Sequence, residues 1–110
     1  MAKGLFLAWS SPASDDSDAA FNAWYEQTHI PQVRAAIPSI TAVHRYRTAD
    51  LPGGQQPAHR YLAVYELDSA DIPAAAAALG AAASEGRLDM TQAMDFTAVP
   101  PAIHWYQAAD

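Results

Sequence analysis

Two short stretches of the chain carry side chains that could move protons. The first runs Phe21-Asn22-Ala23-Trp24-Tyr25-Glu26-Gln27-Thr28-His29-Ile30-Pro31. His29 stands one helical turn beyond Tyr25 and two residues before a proline, where a broken helix could project an imidazole into a pocket. An unperturbed imidazole titrates near neutrality, which suits general acid–base work. The alternative role for His29 is to cap the broken helix by bonding a freed carbonyl. The second stretch is His44-Arg45-Tyr46. Alternate residues of a strand share a face, so His44 and Tyr46 look one way and Arg45 the other. A His–Tyr pair among apolar neighbours could exchange a proton with a phenol or enol. Arg45 could hold a carboxylate or enolate oxygen if its face lines the pocket, or it could pair with a nearby acid. Arg47, close to a loop, suits solvent.

Aromatic side chains accompany both stretches. Tyr61 and Tyr65 share one face of a strand, Trp9 and Trp105 come from two others, and Phe21 and Trp24 lie beside Tyr25. Such rings could stack on a planar ligand while their hydroxyls orient it, or they could fill an interface between subunits. His59 and His104 fall at or near strand ends and rank below His29 and His44. Other chemistries find little support. With no cysteine, disulfides, thiolate metal sites and a cysteine nucleophile are excluded, and a reducing cytoplasm is the expected setting. No two histidines have the i, i+4 spacing of a helical zinc pair, so no metal is expected. Pro52-Gly53-Gly54 lacks the Lys-Ser/Thr and following helix of a phosphate loop, and Ser10-Ser11 lacks a nucleophile-elbow context. No organic cofactor is expected either.

The bulk composition narrows the partners. Six basic and twelve acidic residues give a net charge of −6, which argues against nucleic acid and against anionic membrane surfaces. The 110 residues are 51% hydrophobic and 16% charged, which suits one folded domain spanning 1–110. The run Leu5 to Trp9 is too short for a signal peptide core and reads as a buried strand; no run approaches a membrane span.

The elements that position these residues follow from spacing. Ser14, Asp15, Asp16 and Ser17 offer caps and negative charge ahead of a helix whose face carries Phe21, Trp24, Tyr25 and Thr28. Pro31 should bend or interrupt that helix near His29 and Ile30, and a further turn should end at Pro38. Ile40 to Arg47 reads as a strand, 48–57 as a loop, and His59 to Leu67 as the next strand. Asp68, Ser69 and Asp71 cap a second helix, alanine-rich over 74–83 and stopped by Gly86. Phe96 to Ala98, then Ala102 to Tyr106, reads as an interrupted last strand. Strand, helix, strand, strand, helix, strand is the ferredoxin-like α+β order, with an antiparallel sheet and both helices on one side. The first strand has Leu5, Leu7 and Trp9 on one side and Phe6 and Ala8 on the other. The third has Tyr61, Ala63, Tyr65 and Leu67 on one side and Leu62 and Val64 on the other, so the sheet is apolar on both faces. A second copy of the chain is the economical cover for the face without helices.

The first stretch, with Ile37-Pro38-Ser39-Ile40 and His44-Arg45-Tyr46, resembles the dimeric α+β barrel superfamily and within it the EthD-like proteins. Their first helix carries a Trp-Tyr…His-x-Pro signature, and a Pro-Gly-like turn leads to an Arg-containing strand; here Ser39 replaces the usual glycine. The motifs cover roughly the first half of the chain. The resemblance implies a homodimer with one pocket per subunit, between sheet and helices. Related folds serve cofactor-free monooxygenases, polyketide cyclases, lactone isomerases and haem-degrading enzymes, so no single reaction is implied. The expected function is acid–base chemistry on a planar apolar or aromatic molecule (phenolic, quinone or polyketide-like). His29 would transfer the proton, Tyr25 or Tyr46 would partner it, and Arg45 would stabilise an anion. The alternatives are a non-catalytic binder of a hydrophobic molecule and a purely structural dimer.

Overall fold

The computed structural model describes residues 2–54 and 57–109. Four strands, β1 (Gly4–Ser10), β2 (Ile40–Arg47), β3 (Tyr61–Leu67) and β4 (Ala102–Gln107), form one antiparallel sheet in the order β2-β3-β1-β4. Three helical segments pack on one of its faces: α1 (Asp18–Trp24), α2 (Ile30–Ala36) and α3 (Ile72–Ser84). This is the ferredoxin-like α+β architecture that the order of elements predicts.

Strand burial alternates strictly in β1 and β3, which assigns the two faces. Phe6, Ala8 and Ser10 from β1, with Tyr61, Ala63, Tyr65 and Leu67 from β3, look toward the helices and are buried. Phe21, Tyr25, Val33 and Ile37 descend on them from the helical layer. Burying each large side chain stabilises the fold by roughly 1.5–3 kcal/mol. On the other face, Leu5, Leu7, Trp9, Leu62 and Val64 form an apolar surface that no helix among the described residues covers. Its margins carry His44 and Tyr46 on β2 and His104 and Tyr106 on β4.

Pro31 leaves the first helix continuous. A wide π turn over Tyr25–His29 joins α1 to α2, and the Ile30 N–H bonds the Tyr25 carbonyl five residues back. Proline lacks an N–H and its ring crowds the carbonyl four residues earlier; widening the turn accommodates both without ending the helix. The serines ahead of α1 make no side-chain cap, and Ser14 and Ser17 bond each other instead.

Asp71 caps α3 by accepting the Ala74 N–H, and Ser69 accepts that of Asp71, whereas Asp68 pairs with Lys3. Ala75 and Ala82 are the buried residues of α3, and their small side chains let it lie close to the sheet. Gly4 on β1 completes that approach, since a Cβ there would collide with Ile72 Cδ1. Gly86 ends the helix with φ +77°, where the Gly86 and Arg87 N–H groups bond the Ala83 and Ala82 carbonyls.

Residues 87–101 contain no strand at Phe96–Ala98, contrary to the sequence reading. The Asp95 carboxylate instead gathers the N–H groups of Thr97, Ala98 and Val99 at 2.9–3.1 Å, which folds the segment into a turn. A bridge between Pro12 and Met94 pins this segment beside β1.

Candidate functional site

The π turn sets the geometry of the site. Trp24, Tyr25 and His29 are held together by it, with the His29 ring stacked on Trp24 (centroids 4.6 Å apart, 22° between planes) and edge-on to Tyr25 at 4.9 Å. All three border a cavity of about 190 Å³ between sheet and helices. Phe6, Ala8 and Ile103 supply its floor, Val33 and Leu79 its helical wall, and Leu88, Met90, Met94 and Phe96 of the segment after α3 its cover. Asp89 stands at its edge, where the Gln32 side chain holds both its carboxylate (3.0 Å) and its N–H (2.7 Å).

Burial dominates the protonation of these groups. It lowers the His29 pKa to about 4, with the positive charge of Arg45 acting in the same direction. His29 is therefore a neutral imidazole at pH 7, and its Nδ1 is buried without a hydrogen-bond partner, as is Trp24 Nε1. Burial raises the Tyr25 pKa, partly offset by hydrogen bonding and by Arg45. Burial and the adjacent Tyr25 raise that of Tyr65. The site thus sets a neutral acceptor beside phenols that keep their protons.

Arg45 faces the helices, but it does not border the cavity. Its guanidinium carbon lies 4.4 Å from the Tyr25 ring centroid, 5.1 Å from that of Tyr61 and 5.7 Å from that of Phe21. Nη1 donates to Glu26 Oε1 at 3.2 Å, while Nε and Nη2 are buried and unpartnered. The cation is held chiefly by ring faces, with Tyr25 touching both it and the cavity. Glu26, 59% exposed, is a weak counter-ion.

The remaining sequence candidates are dispersed. His44 and Tyr46 do share a face, as expected, but it is the one away from the helices; His44 pairs there with Glu66 at 2.7 Å, and neither residue can join His29. Trp9 borders the cavity from β1, yet its ring packs edge-on against His104 on the open face. Phe21, Tyr61 and Tyr65 form the packed core around Arg45 and Tyr25, and the Tyr61 hydroxyl donates to Asp18 at 2.6 Å. Trp105 stacks on Phe6 at 4.3 Å beneath the helices. His59 bonds the Pro100 carbonyl at 2.8 Å. Among the described residues, no cluster of three or more His, Cys, Asp or Glu could hold a metal ion. Sequence reasoning missed Ser10, a buried polar residue on the cavity floor, and the cover residues Leu88 to Phe96. The placement of Ser10 was available from the alternation of β1; the cover lies in a stretch without any period.

No protein-family model matches the chain, and no curated protein matches it in sequence. Among solved structures it is similar to an EthD-like protein from Ralstonia eutropha JMP134, with a TM-score of 0.65 over 100% of this chain and 96% of that one, at 17% identity. The fold is EthD-like. An ethyl tert-butyl ether D (EthD) family protein from Bacillus halodurans C-125 aligns less closely, with a TM-score of 0.49 and 19% identity over 94% of this chain and 97% of that one. So does a dimeric ferredoxin-like protein of unknown function from Thermobifida fusca YX, with a TM-score of 0.43 and 16% identity over 96% and 90%. At such identities the EthD-like likeness concerns the backbone, and the site stands on its own geometry. No helix among the described residues is long and apolar enough to cross a membrane.

Proposed function

We propose that the cavity binds a small planar, largely apolar molecule bearing an oxygen, and that His29 and Tyr25 transfer protons on it without a cofactor. The observation that carries this reading is the neutral His29 imidazole bordering an apolar cavity, with its Nδ1 buried and without a hydrogen-bond partner. A buried polar group without a partner costs stability, and proteins retain such groups most often where function uses them. A base with a pKa of about 4 suits only an already acidic proton, such as one on carbon next to a carbonyl that is itself hydrogen-bonded. Tyr25, kept protonated by burial, is the donor for that carbonyl oxygen. His29 would take the carbon proton as Tyr25 polarises the oxygen, and would return it at a different carbon, an isomerisation. Arg45 supports Tyr25 from behind and helps to keep His29 neutral.

The second reading is a binder without turnover, and the same low His29 pKa favours it, because proton transfer to so weak a base is slow. Self-association through the open apolar face belongs to both readings: five apolar side chains of β1 and β3 are left there without cover. The test is deuterium incorporation from D₂O into a cyclic enone such as cyclohex-2-enone, followed by NMR. Incorporation by the wild type that His29→Ala abolishes while enone binding persists supports the enzyme. Binding without incorporation supports the binder. Absence of binding refutes both.

A further inference from the structure

We infer that the ligand of this cavity is a single uncharged ring, and that Met90 and Phe96 set the limit on its size. The inference rests on the cavity being a ligand site, as proposed above, and adds the class of molecule it takes. A volume of about 190 Å³ exceeds by little the roughly 150 Å³ of a dry engineered cavity that takes up benzene. One ring with one or two small substituents fits. Three fused rings of a polyketide-derived system do not.

The charge of the ligand follows from what the walls lack. Among the described residues no cationic side chain lines the cavity, since Arg45 lies behind Tyr25, and the one charged neighbour is the carboxylate of Asp89. A carboxylate ligand would lose its hydration in an apolar chamber without a counter-charge, inside a protein of net charge −6. Among the described lining residues the polar groups are Ser10, Tyr25, His29 and the unpartnered Trp24 N–H, with Asp89 at the edge, so a ligand with a single oxygen and an otherwise apolar surface is what the site can satisfy.

The size limit comes from the segment after α3. On the floor and the helical wall, Phe6, Ala8 and Val33 are core residues, 3%, 8% and 1% exposed, so none can retreat without breaking the core, whereas Ile103, held in β4, is 50% exposed. Met90 and Phe96 line the same cavity yet are 70% and 42% exposed. Truncating them removes a wall that the core does not need.

Isothermal titration calorimetry at pH 6.5 with 4-methylphenol, benzoate and 2-hydroxyanthraquinone tests this on the intact chain. The wild type should bind 4-methylphenol, and should bind benzoate and the three-ring probe at least about tenfold more weakly. In the Met90→Ala/Phe96→Ala variant the three-ring probe should gain about tenfold or more while 4-methylphenol changes by less. Wild-type binding of the anthraquinone as tight as that of 4-methylphenol overturns the size limit; equally tight benzoate overturns the charge argument. Either result leaves the cavity a ligand site, whereas no heat with any probe refutes that reading itself. A folded variant whose affinity for the three-ring probe is unchanged overturns the role of Met90 and Phe96. Should the double variant fail to fold, Met90→Ala alone, at a 70% exposed position, reads the same gain.

Discussion

Replacing His29 by glutamine should flatten the acid limb of the stability curve. The imidazole ordinarily titrates at 6.5, whereas in the fold burial, aided by Arg45, holds it at about 4. Between those values the unfolded chain binds a proton that the native state refuses, so stability is lost as the pH falls. The loss begins near pH 6.5, runs at about 1.4 kcal/mol per pH unit, and levels off below pH 4. From pH 7.5 to 4.5 this amounts to about 2.5 kcal/mol for His29 alone. His29→Gln has no such proton to bind. It will be less stable at neutral pH because the stack on Trp24 is altered, but its stability should fall by about 2.5 kcal/mol less across the same interval. Every other titrating group is common to both proteins and cancels in the difference. Urea unfolding followed by tryptophan fluorescence at the two pH values, at one fixed protein concentration, gives both numbers. Parallel losses in the two proteins would refute the argument, as would an NMR titration placing the His29 midpoint near 6.5.

Two further outcomes follow from the same geometry. Arg45→Met should raise the His29 midpoint, read by NMR, only part of the way toward 6.5, because burial, the larger cause, remains; an unchanged midpoint would remove Arg45 from the electrostatics of the site. Leu7→Glu, which puts a charge at the centre of the open sheet face, should leave the circular dichroism unchanged and shift sedimentation from dimer to monomer; a wild type that is already monomeric at low micromolar concentration would refute the self-association reading.

The backbone could be read from the sequence wherever local chemistry and burial agree. Ile40–Arg47 is a strand with the expected bounds, because a β-branched and aromatic run is fenced by Pro38 and a polar loop. Asp71 and Gly86 mark the ends of α3 for the reasons that make them good caps and stops. Alternation correctly separated His44 and Tyr46 from Arg45, but it could not say which set looks at the helices, since both sheet faces are apolar. Membership of the site turned on that choice. Pro31 announced a disturbance, but a broken helix and a widened one both answer a missing N–H, and only packing selects between them. The cavity cover was invisible because residues 87–101 are held by the side chains of Asp95 and Gln32 and by Met94, contacts that leave no period in the chain.

The widened turn has a bearing on how this chain can change over generations. Each residue of a regular helix advances the chain by about 100°, so the eight residues from Tyr25 to Val33 would leave those side chains about 80° apart; the widened turn over Tyr25–His29 absorbs one residue and returns both to the core face. Removing that residue would leave a regular helix with Val33 and Ile37 still turned to the core, and would shorten the spacing between Trp24 and His29 from five residues to four. Exchanges of one amino acid for another at Glu26, Gln27 or Thr28 should be tolerated; lineages that drop a residue there should keep the fold while reshaping the chamber wall, whereas those that gain one should turn Val33 and Ile37 away from the core.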